Sequence, residues 1–280
     1  MERELRGRAW RGFHEARMRG GSAWLSVIPL ESLGLDLDGL TFRDAVALRM
    51  GVDLPDPLPE SCPSCGQAFS LAHALKCKKG GWVVRRHREV VRAWMSYMRK
   101  GGFPNPIEEP EIPSLRGIAG RPATTLEKDA RADILVRGLF REQENAFFDV
   151  AVLDTGADFR GRETTSEILG SYEKIKRVKY ADRVAPVGSF TPLVCSVYGT
   201  LAPEAARTAH RIARRVDPER EERDAVLDLH QVVLQVAILK ATSLCLRIRS
   251  LVVVPRAARG PGVLEDCEAL LGDAGAREEV

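Results

Sequence analysis

The sequence predicts an α/β fold in which a mixed central sheet is flanked by helices, with a small cysteine-rich module in front of it. Two observations support this prediction. Between residues 81 and 255, short apolar segments of strand-like composition alternate with longer segments of helical periodicity, an order typical of α/β domains. Three of the six cysteines lie between positions 62 and 77, and such clustering favours a metal site over a disulfide framework.

The predicted organisation has four parts. Residues 1–58 are an N-terminal helical segment, 59–80 the cysteine-rich module, 81–255 the α/β domain and 256–280 a disordered acidic tail. The periodicity of apolar residues then gives the individual elements. Helices are predicted over residues 42–50, 83–99, 165–182, 203–216 and 219–246, and strands near 107–112 and over 131–137, 146–153 and 190–198.

Local signals place the ends of two of these helices. Thr41 and Asp44 are spaced like a cap with an acidic residue in the first turn, and they are expected to begin the first helix. Gly101 and Gly102 are expected to end the second helix. Residues 113–130 are rich in Gly, Pro and Thr, which indicates a flexible loop.

The distribution of charge favours a polyanion as partner, although the net charge of +3 is small. Residues 78–100 contain one acid, Glu89, and eight basic residues: Lys78, Lys79, Arg85, Arg86, Arg88, Arg92, Arg99 and Lys100. A basic block of this kind is typical of a nucleic-acid contact, with a solvated helix face as the alternative. We expect the first six of these side chains to contact nucleic acid.

Targeting signals are not evident in the sequence. The first residues are rich in arginine and lack the apolar core of a secretory signal. The most apolar stretch, residues 229–239, has eleven uncharged residues, which is short of the ~20 needed to span a bilayer. We therefore expect an intracellular or nuclear protein without a membrane partner.

Four residues of the cysteine-rich module have the spacing of zinc ligands. Cys62, Cys65, His73 and Cys77 follow the pattern C-x2-C-x7-H-x3-C. A tight turn, eased by Gly66, would point the first two sulfurs inward, and the last two ligands would share one helix face. Four ligands with no open position predict structural Zn2+ rather than a catalytic metal.

Two aspartates in a predicted hairpin form the candidate catalytic site. Asp133 lies near the start of one strand, and Asp149 lies in the middle of the very apolar next strand. A charge there is costly unless it is paired or holds a metal. If the hairpin turns about Arg141, the two carboxylates oppose each other closely enough to bind one Mg2+. Asp154 would point to the opposite face.

A simpler alternative for the strand acids is pairing with Arg131 or Arg137. A nuclease site would also need a cation close to the carboxylates. The common position two residues after the second acid holds Ala151, so the cation would come from the following helix. Lys176 lies on the semi-apolar stripe of that helix, and Lys179 lies near it, so both remain candidates.

The ordered set of motifs resembles the C-terminal region of non-LTR retrotransposon polyproteins, which carry a cysteine/histidine motif followed by a restriction-like endonuclease of the PD-(D/E)xK superfamily. The resemblance covers roughly residues 22–250 and includes, in order, the cysteine cluster, Arg86-His87-Arg88-Glu89, Glu109-Pro110, Arg131-Ala132-Asp133-Ile134, Phe147-Phe148-Asp149-Val150, the Lys176–Tyr180 segment and Phe190-Thr191-Pro192-Leu193-Val194. It departs from the family pattern at Ala132, where proline usually precedes the aspartate.

The resemblance implies a restriction-endonuclease-like core with Asp133 and Asp149 as metal-binding acids and Lys176 as the catalytic lysine. It also implies that Glu89, and less directly Glu109, are auxiliary acids. In the parent element, such an enzyme nicks target DNA to prime reverse transcription. No reverse transcriptase is expected in this chain, since its 280 residues are too few to hold one as well.

Three functional hypotheses follow. The first is a Mg2+-dependent endonuclease that nicks DNA, and the second is a catalytically decayed module that binds DNA or RNA. Salt-sensitive binding without cleavage would distinguish the second from the first. The third is a zinc-stabilised protein-interaction domain, which predicts that polyanions do not bind.

Overall fold

The computed structural model of the chain describes residues 7–18, 20–54, 59–112, 131–157, 163–216 and 229–247. The helices are α1 Gly7–Arg17, α2 Gly39–Met50, α3 Leu71–Ala74, α4 Trp82–Lys100, α5 Thr165–Val184, α6 Pro203–Val216 and α7 Leu229–Arg247. The strands are β1 Ile107–Glu108, β2 Ile134–Arg137, β3 Asn145–Leu153 and β4 Ser189–Ser196. The predicted loop 113–130, the acidic tail 256–280 and residues 219–228 of the last predicted helix lie outside the described residues.

A single four-stranded sheet, in the order β1-β2-β3-β4, forms the centre of the described chain. β2 is antiparallel to both of its neighbours, β1 and β3, whereas β3 and β4 are parallel. Because parallel neighbours need a crossover, α5 connects β3 to β4 across one face of the sheet. The prediction of an α/β fold with a mixed sheet flanked by helices is confirmed.

The two faces of the sheet pack against different helices. On one face, Phe148 and Val150 of β3 join Trp94 of α4 and residues of α6 and α7 in the largest apolar cluster. On the other face, Phe147 and Ala151 pack towards α5. Neighbouring residues of β3 therefore face opposite layers, and each large apolar side chain buried in this way contributes about 1.5–3 kcal/mol.

The start of α2 differs from the prediction. Asp38 caps this helix, because its carboxylate accepts hydrogen bonds from the backbone N–H of Leu40 at 3.1 Å and of Thr41 at 2.9 Å. Asp44 is buried and accepts a hydrogen bond from Ser243 at 2.9 Å. The prediction that Thr41 and Asp44 form the cap is wrong, since aspartate is a stronger cap than threonine.

The other long helices agree closely with the prediction. α6 begins at Pro203 and ends at Val216, as predicted, with proline at the first helical position where its missing N–H costs nothing. α5 extends two residues beyond the prediction and begins with a capping box between Thr164 and Glu167. None of the helices in the described part of the chain is long and apolar enough to cross a membrane.

Helix α1 is joined to the sheet layers through a buried carboxylate. Glu15 is fully buried and accepts hydrogen bonds from the hydroxyls of Ser196, at 2.6 Å, Thr165, at 3.3 Å, and Thr155. Burial raises the pKa of Glu15, and this effect outweighs the hydroxyl donors and the nearby Arg49 guanidinium, which lower it. The folded protein therefore holds a proton on Glu15 more tightly than the unfolded chain does.

This raised pKa gives a pH-dependent contribution to stability. The contribution is fully present below the pKa of the unfolded chain, and it is lost at about 1.4 kcal/mol per pH unit as pH rises from that value to the folded pKa. We expect Glu15→Gln to lower the unfolding free energy less at pH 8 than at pH 5, relative to the unsubstituted protein. Urea unfolding at both pH values tests this.

The substitution Glu31→Gln removes a carboxylate from an exposed position and serves as the control for loss of charge. It should leave the pH dependence of unfolding unchanged. Equal pH dependence in the Glu15→Gln variant and the unsubstituted protein would contradict the assignment of a raised pKa to Glu15.

Candidate functional site

The four predicted metal ligands come together at one point. One ligand atom from each of Cys62, Cys65, His73 and Cys77 lies within 4.8 Å of the others. The Cys77 sulfur is 3.9 Å from each of the other two sulfurs, and Cys65 Sγ is 3.3 Å from His73 Nε2. A tetrahedral zinc site with Zn–S bonds of about 2.3 Å places its sulfurs about 3.8 Å apart, so this group could bind a metal such as zinc.

Local backbone structure positions these ligands. The first two cysteines lie on a turn in which Cys62 N–H donates to Gln67 O at 2.7 Å and Gly66 N–H donates to Cys62 O at 2.8 Å. Gly66 has a φ of 73°, which favours glycine. His73 lies in α3, whose first turn is capped by Ser70, and Cys77 lies three residues after the end of that helix. Burial raises the pKa of Cys62, but backbone donors outweigh it and lower the pKa to about 7.

The two predicted catalytic aspartates lie close together at the end of the β2–β3 ladder. The paired register ends at Ile134 and Phe148, and Asp133 and Asp149 are the residues that adjoin this last pair, close enough for the charge of Asp133 to raise the pKa of Asp149. Asp133 N–H donates to Phe148 O at 2.9 Å, and its Oδ2 accepts a hydrogen bond from Val150 N–H at 2.6 Å. The Asp133 side chain therefore takes the place of a backbone acceptor where the β2–β3 ladder ends.

Lys176 reaches this pair of acids from α5. Its Nζ lies 2.6 Å from Asp149 Oδ2, and the Asp149 residue is only 5 % exposed. Burial raises the pKa of Asp149, and the negative charge of Asp133 raises it further, while Lys176 lowers it. Burial alone would lower the pKa of Lys176, but the attraction of Asp149 outweighs it and the pKa is raised.

Lys179, the alternative cation, has a different partner. Its Nζ lies 2.7 Å from the hydroxyl of Tyr180 and 4.5 Å from the centre of that ring. Lys176 and not Lys179 therefore contacts the strand carboxylate. Asp154 also lies apart from this group, because it is held by two hydrogen bonds from Arg8, at 2.7 and 2.8 Å.

His87 is a member of this group that the sequence did not single out. Its Nε2 lies 3.2 Å from Asp133 Oδ2 and 3.2 Å from the carbonyl oxygen of Val150. The contact with Asp133 is the main reason that the pKa of His87 is raised, against the effect of burial. One signal was available, since His87 precedes Val90, Val91 and Trp94 on the buried stripe of α4. We call Asp133, Asp149, Lys176 and His87 the carboxylate site.

The two auxiliary acids implied by the family resemblance lie outside this group. Glu89 is two residues from His87, on another side of α4, and pairs with Arg92 at 3.0 Å. Glu109 donates its backbone N–H to Asp133 O at 3.0 Å, but its carboxylate is exposed and lies 3.8 Å from Arg131. The structure thus brings three of the four predicted catalytic residues together and leaves Glu89 apart.

One residue of the predicted nucleic-acid contact is buried. Arg86 is 5 % exposed, and its Nε and Nη1 have no hydrogen-bond partner in the described part of the chain. The prediction that Arg86 contacts nucleic acid was wrong, because position 86 falls on the buried stripe of α4 next to the apolar core. Arg85 is half-buried and lies over Trp82, and the remaining predicted contacts are exposed: Lys78, Lys79, Arg88 and Arg92.

Comparison of the chain with models of known protein families and with curated proteins finds no match. Function must therefore be inferred from the side chains themselves. Two groups carry chemistry that is recognisable without relatives. The first is the Cys3His group, and the second is the carboxylate site, where two acids and a lysine meet between β3 and α5.

The Cys3His geometry predicts one tightly bound zinc ion for each chain. Cys62→Ser should remove that zinc and lower the thermal unfolding midpoint, because loss of one thiolate opens a tetrahedral structural site. Metal analysis of the purified protein and a thermal melt measure the two effects. The matched control is Cys195→Ala, which removes a buried cysteine of β4 outside the group and should leave the zinc content unchanged.

Proposed function

We propose that this protein is a Mg2+-dependent endonuclease that nicks DNA by phosphodiester hydrolysis. The observation that carries the proposal is the meeting of Asp133, Asp149 and Lys176 at one end of the β2–β3 ladder. Two opposed carboxylates and a lysine are the groups that metal-assisted phosphodiester hydrolysis needs. The mixed sheet flanked by helices is also what the restriction-like resemblance implies.

The residues present fit a divalent cation. Asp149 Oδ2 is buried and, apart from the Lys176 ammonium, has no hydrogen-bond partner in the described part of the chain. Carboxylate oxygens are the ligands that Mg2+ prefers. Asp149 and Asp133 would hold the ion, with Asp133 kept in position by Val150 N–H and His87.

The side chains of the site have separate tasks in this proposal. Mg2+ held there supplies a Lewis acid that activates water and offsets phosphate charge. Lys176 places a fixed positive charge beside Asp149, from which it can orient the attacking water and stabilise negative charge on the phosphate. His87 orients the Asp133 carboxylate through the contact at 3.2 Å.

We propose a structural role for zinc in the Cys3His group. Its four ligands complete a tetrahedral set, which leaves no position for substrate. The module packs against the rest of the chain, since Cys62, Phe69 and Leu75 share an apolar cluster with Tyr198 and Leu246. A metal at this position would therefore also stabilise the end of α7.

A second candidate function is nucleic-acid binding without catalysis. It is favoured by the ion pair between Lys176 and Asp149, because an ammonium at 2.6 Å already compensates the charge that a metal would compensate. Ala132, where the family pattern has proline, points the same way. The two candidates differ in whether the carboxylates take up a divalent ion.

Nicking of supercoiled plasmid tests the first function. We expect Mg2+-dependent conversion to the open-circular form, and we expect Asp149→Asn to reduce the rate at least ~100-fold, because the isosteric amide cannot replace a carboxylate ligand. The matched control is Glu89→Gln, which should nick like the unsubstituted protein. Equal rates for Asp149→Asn and the unsubstituted protein would eliminate the assignment.

The two lysines of α5 provide a second matched pair. Lys176→Met should lower the nicking rate by on the order of 100-fold, whereas Lys179→Met should retain it, because Lys176 alone contacts Asp149. Binding of Mn2+ measured by electron paramagnetic resonance separates the two candidate functions without reference to activity. If the chain binds DNA but takes up no Mn2+ at Asp149, the second candidate function, nucleic-acid binding without catalysis, is supported.

A further inference from the structure

One face of α6 carries a row of basic side chains that has no part in the proposed carboxylate or zinc sites. The apolar residues on the buried face of this helix include Ala205, Ala209 and Ile212, which pack into the main core. The outward face carries Arg207, Arg211, Arg214 and Arg215, which we call the arginine row. His210 lies on the same exposed face. Beyond the first turn, the exposed face of α6 therefore has no acid in its described residues.

Two members of the arginine row are held in place by neutral groups. Arg211 donates to the carbonyl oxygens of Leu139, at 3.0 Å, and Phe140, at 2.8 Å, and its guanidinium lies 5.5 Å from the ring of Phe140. Arg215 lies 4.7 Å from the ring of Phe103. Carbonyls and aromatic rings fix a guanidinium without cancelling its charge.

Several arginines elsewhere in the described chain have acidic partners. Arg8 pairs with Asp154 and Arg92 with Glu89. In those pairs the positive charge is compensated within the protein, whereas the Arg211 and Arg215 contacts above leave it available. A pinned and uncompensated guanidinium is suited to an anionic ligand, because less side-chain entropy is lost on binding.

The basic surface extends beyond α6. Gly101 packs directly against α6, where a Cβ atom would lie 2.5 Å from the side chain of Ile212. Arg99 and Lys100 at the end of α4 are exposed and come three to four residues before Phe103, whose ring lies beside Arg215. Arg141, in the β2–β3 turn next to the carbonyls that bind Arg211, is exposed but lies 3.8 Å from the Glu144 carboxylate, which compensates its charge. The basic surface therefore continues from the arginine row towards Arg99 and Lys100.

The arginine row starts close to the carboxylate site. Arg177, the residue after Lys176, pairs with Glu204 in the first turn of α6. Arg207 follows one turn later and lies near the Glu173 carboxylate. The eight helical steps from Arg207 to Arg215 span about 12 Å. Phosphates of one DNA strand follow at ~3.4 Å along the axis, so the row has the length of about three to four base pairs.

We propose that the arginine row binds the phosphate backbone of duplex DNA beside the position that is cleaved. The assignment of this position rests on the proposed nuclease function, but the binding surface does not. The row is a different surface from the predicted contact on residues 78–92, because it lies on α6 and at the C-terminal end of α4. It lengthens the DNA contact in the direction of the β2–β3 turn.

The salt dependence of DNA binding tests this proposal. The probe is a fluorescein-labelled 20-base-pair duplex of mixed sequence, and binding is measured by anisotropy in the Asp149→Asn background without Mg2+. We expect Arg207→Gln with Arg215→Gln to reduce the slope of log K against log salt by about 2, because each lost phosphate contact removes about 0.9. Affinity at ~0.15 M salt should fall by on the order of tenfold or more.

Two controls accompany this variant. The pair Arg207→Lys with Arg215→Lys keeps the charge and should keep the slope, which excludes a folding defect as the cause. Arg43→Gln with Lys240→Gln removes two basic residues on the α2 side of the molecule and should also keep the slope. Thermal midpoints of all variants establish that each is folded.

The outcomes separate the two proposals. An unchanged slope in the glutamine variant overturns the proposal that the arginine row binds DNA. This outcome includes the case in which acids of the following sequence, such as Glu219, Glu221 and Glu222, neutralise the row. A reduced slope supports the row even if the unsubstituted chain does not nick plasmid. Absence of nicking by the unsubstituted chain overturns only the nuclease function.

Discussion

The register of the β2–β3 hairpin is the constraint on which the candidate site depends. Pairing of Ile134 with Phe148 ends the ladder and brings Asp133 and Asp149 close together just beyond it. A slip of one residue would turn Asp149 from the α5 layer into the apolar layer of Trp94 and Phe148, away from Lys176. The turn resists such a slip, because Gly138 donates to Glu144 O at 2.8 Å and both Gly138 and Gln143 have positive φ. The chemistry of the site is therefore fixed by a turn that lies several residues away from it.

Much of the fold could be predicted from local signals, because the apolar pattern of β3, α5 and α6 is strong and the ligand spacing of the Cys3His group is specific. What failed was the placing of Arg86 on the basic surface. Arg86 belongs to a basic run in the sequence, yet it is buried on the stripe of α4 that packs into the interior. His87, from the same run, is half-buried and contacts Asp133. The role of Glu89 as an auxiliary acid was implied by the family resemblance alone, and such a resemblance carries no information on the direction in which a side chain points.

The ion pair of Asp149 and Lys176 places two charges in the interior beside an apolar strand. A buried pair recovers only part of its desolvation cost, so it is weak support for a purely stabilising role. An acid placed in the middle of an apolar strand is therefore more readily explained by a binding task than by stability. In the proposed nuclease, the same lysine would compensate Asp149 before the metal binds and would lie beside the phosphate when substrate is bound.

The buried carboxylate of Glu15 has a consequence for how the chain is divided. Its hydroxyl partners come from β4, from the start of α5 and from the loop after β3. Backbone also meets backbone here, since Gly12 lies so close to Arg49 O of α2 that a Cβ atom would be 2.0 Å away. The N-terminal helices and the sheet thus share one interior. A fragment that starts at residue 81 would lack part of its own core, so the segment before the cysteine-rich module folds together with the α/β layers.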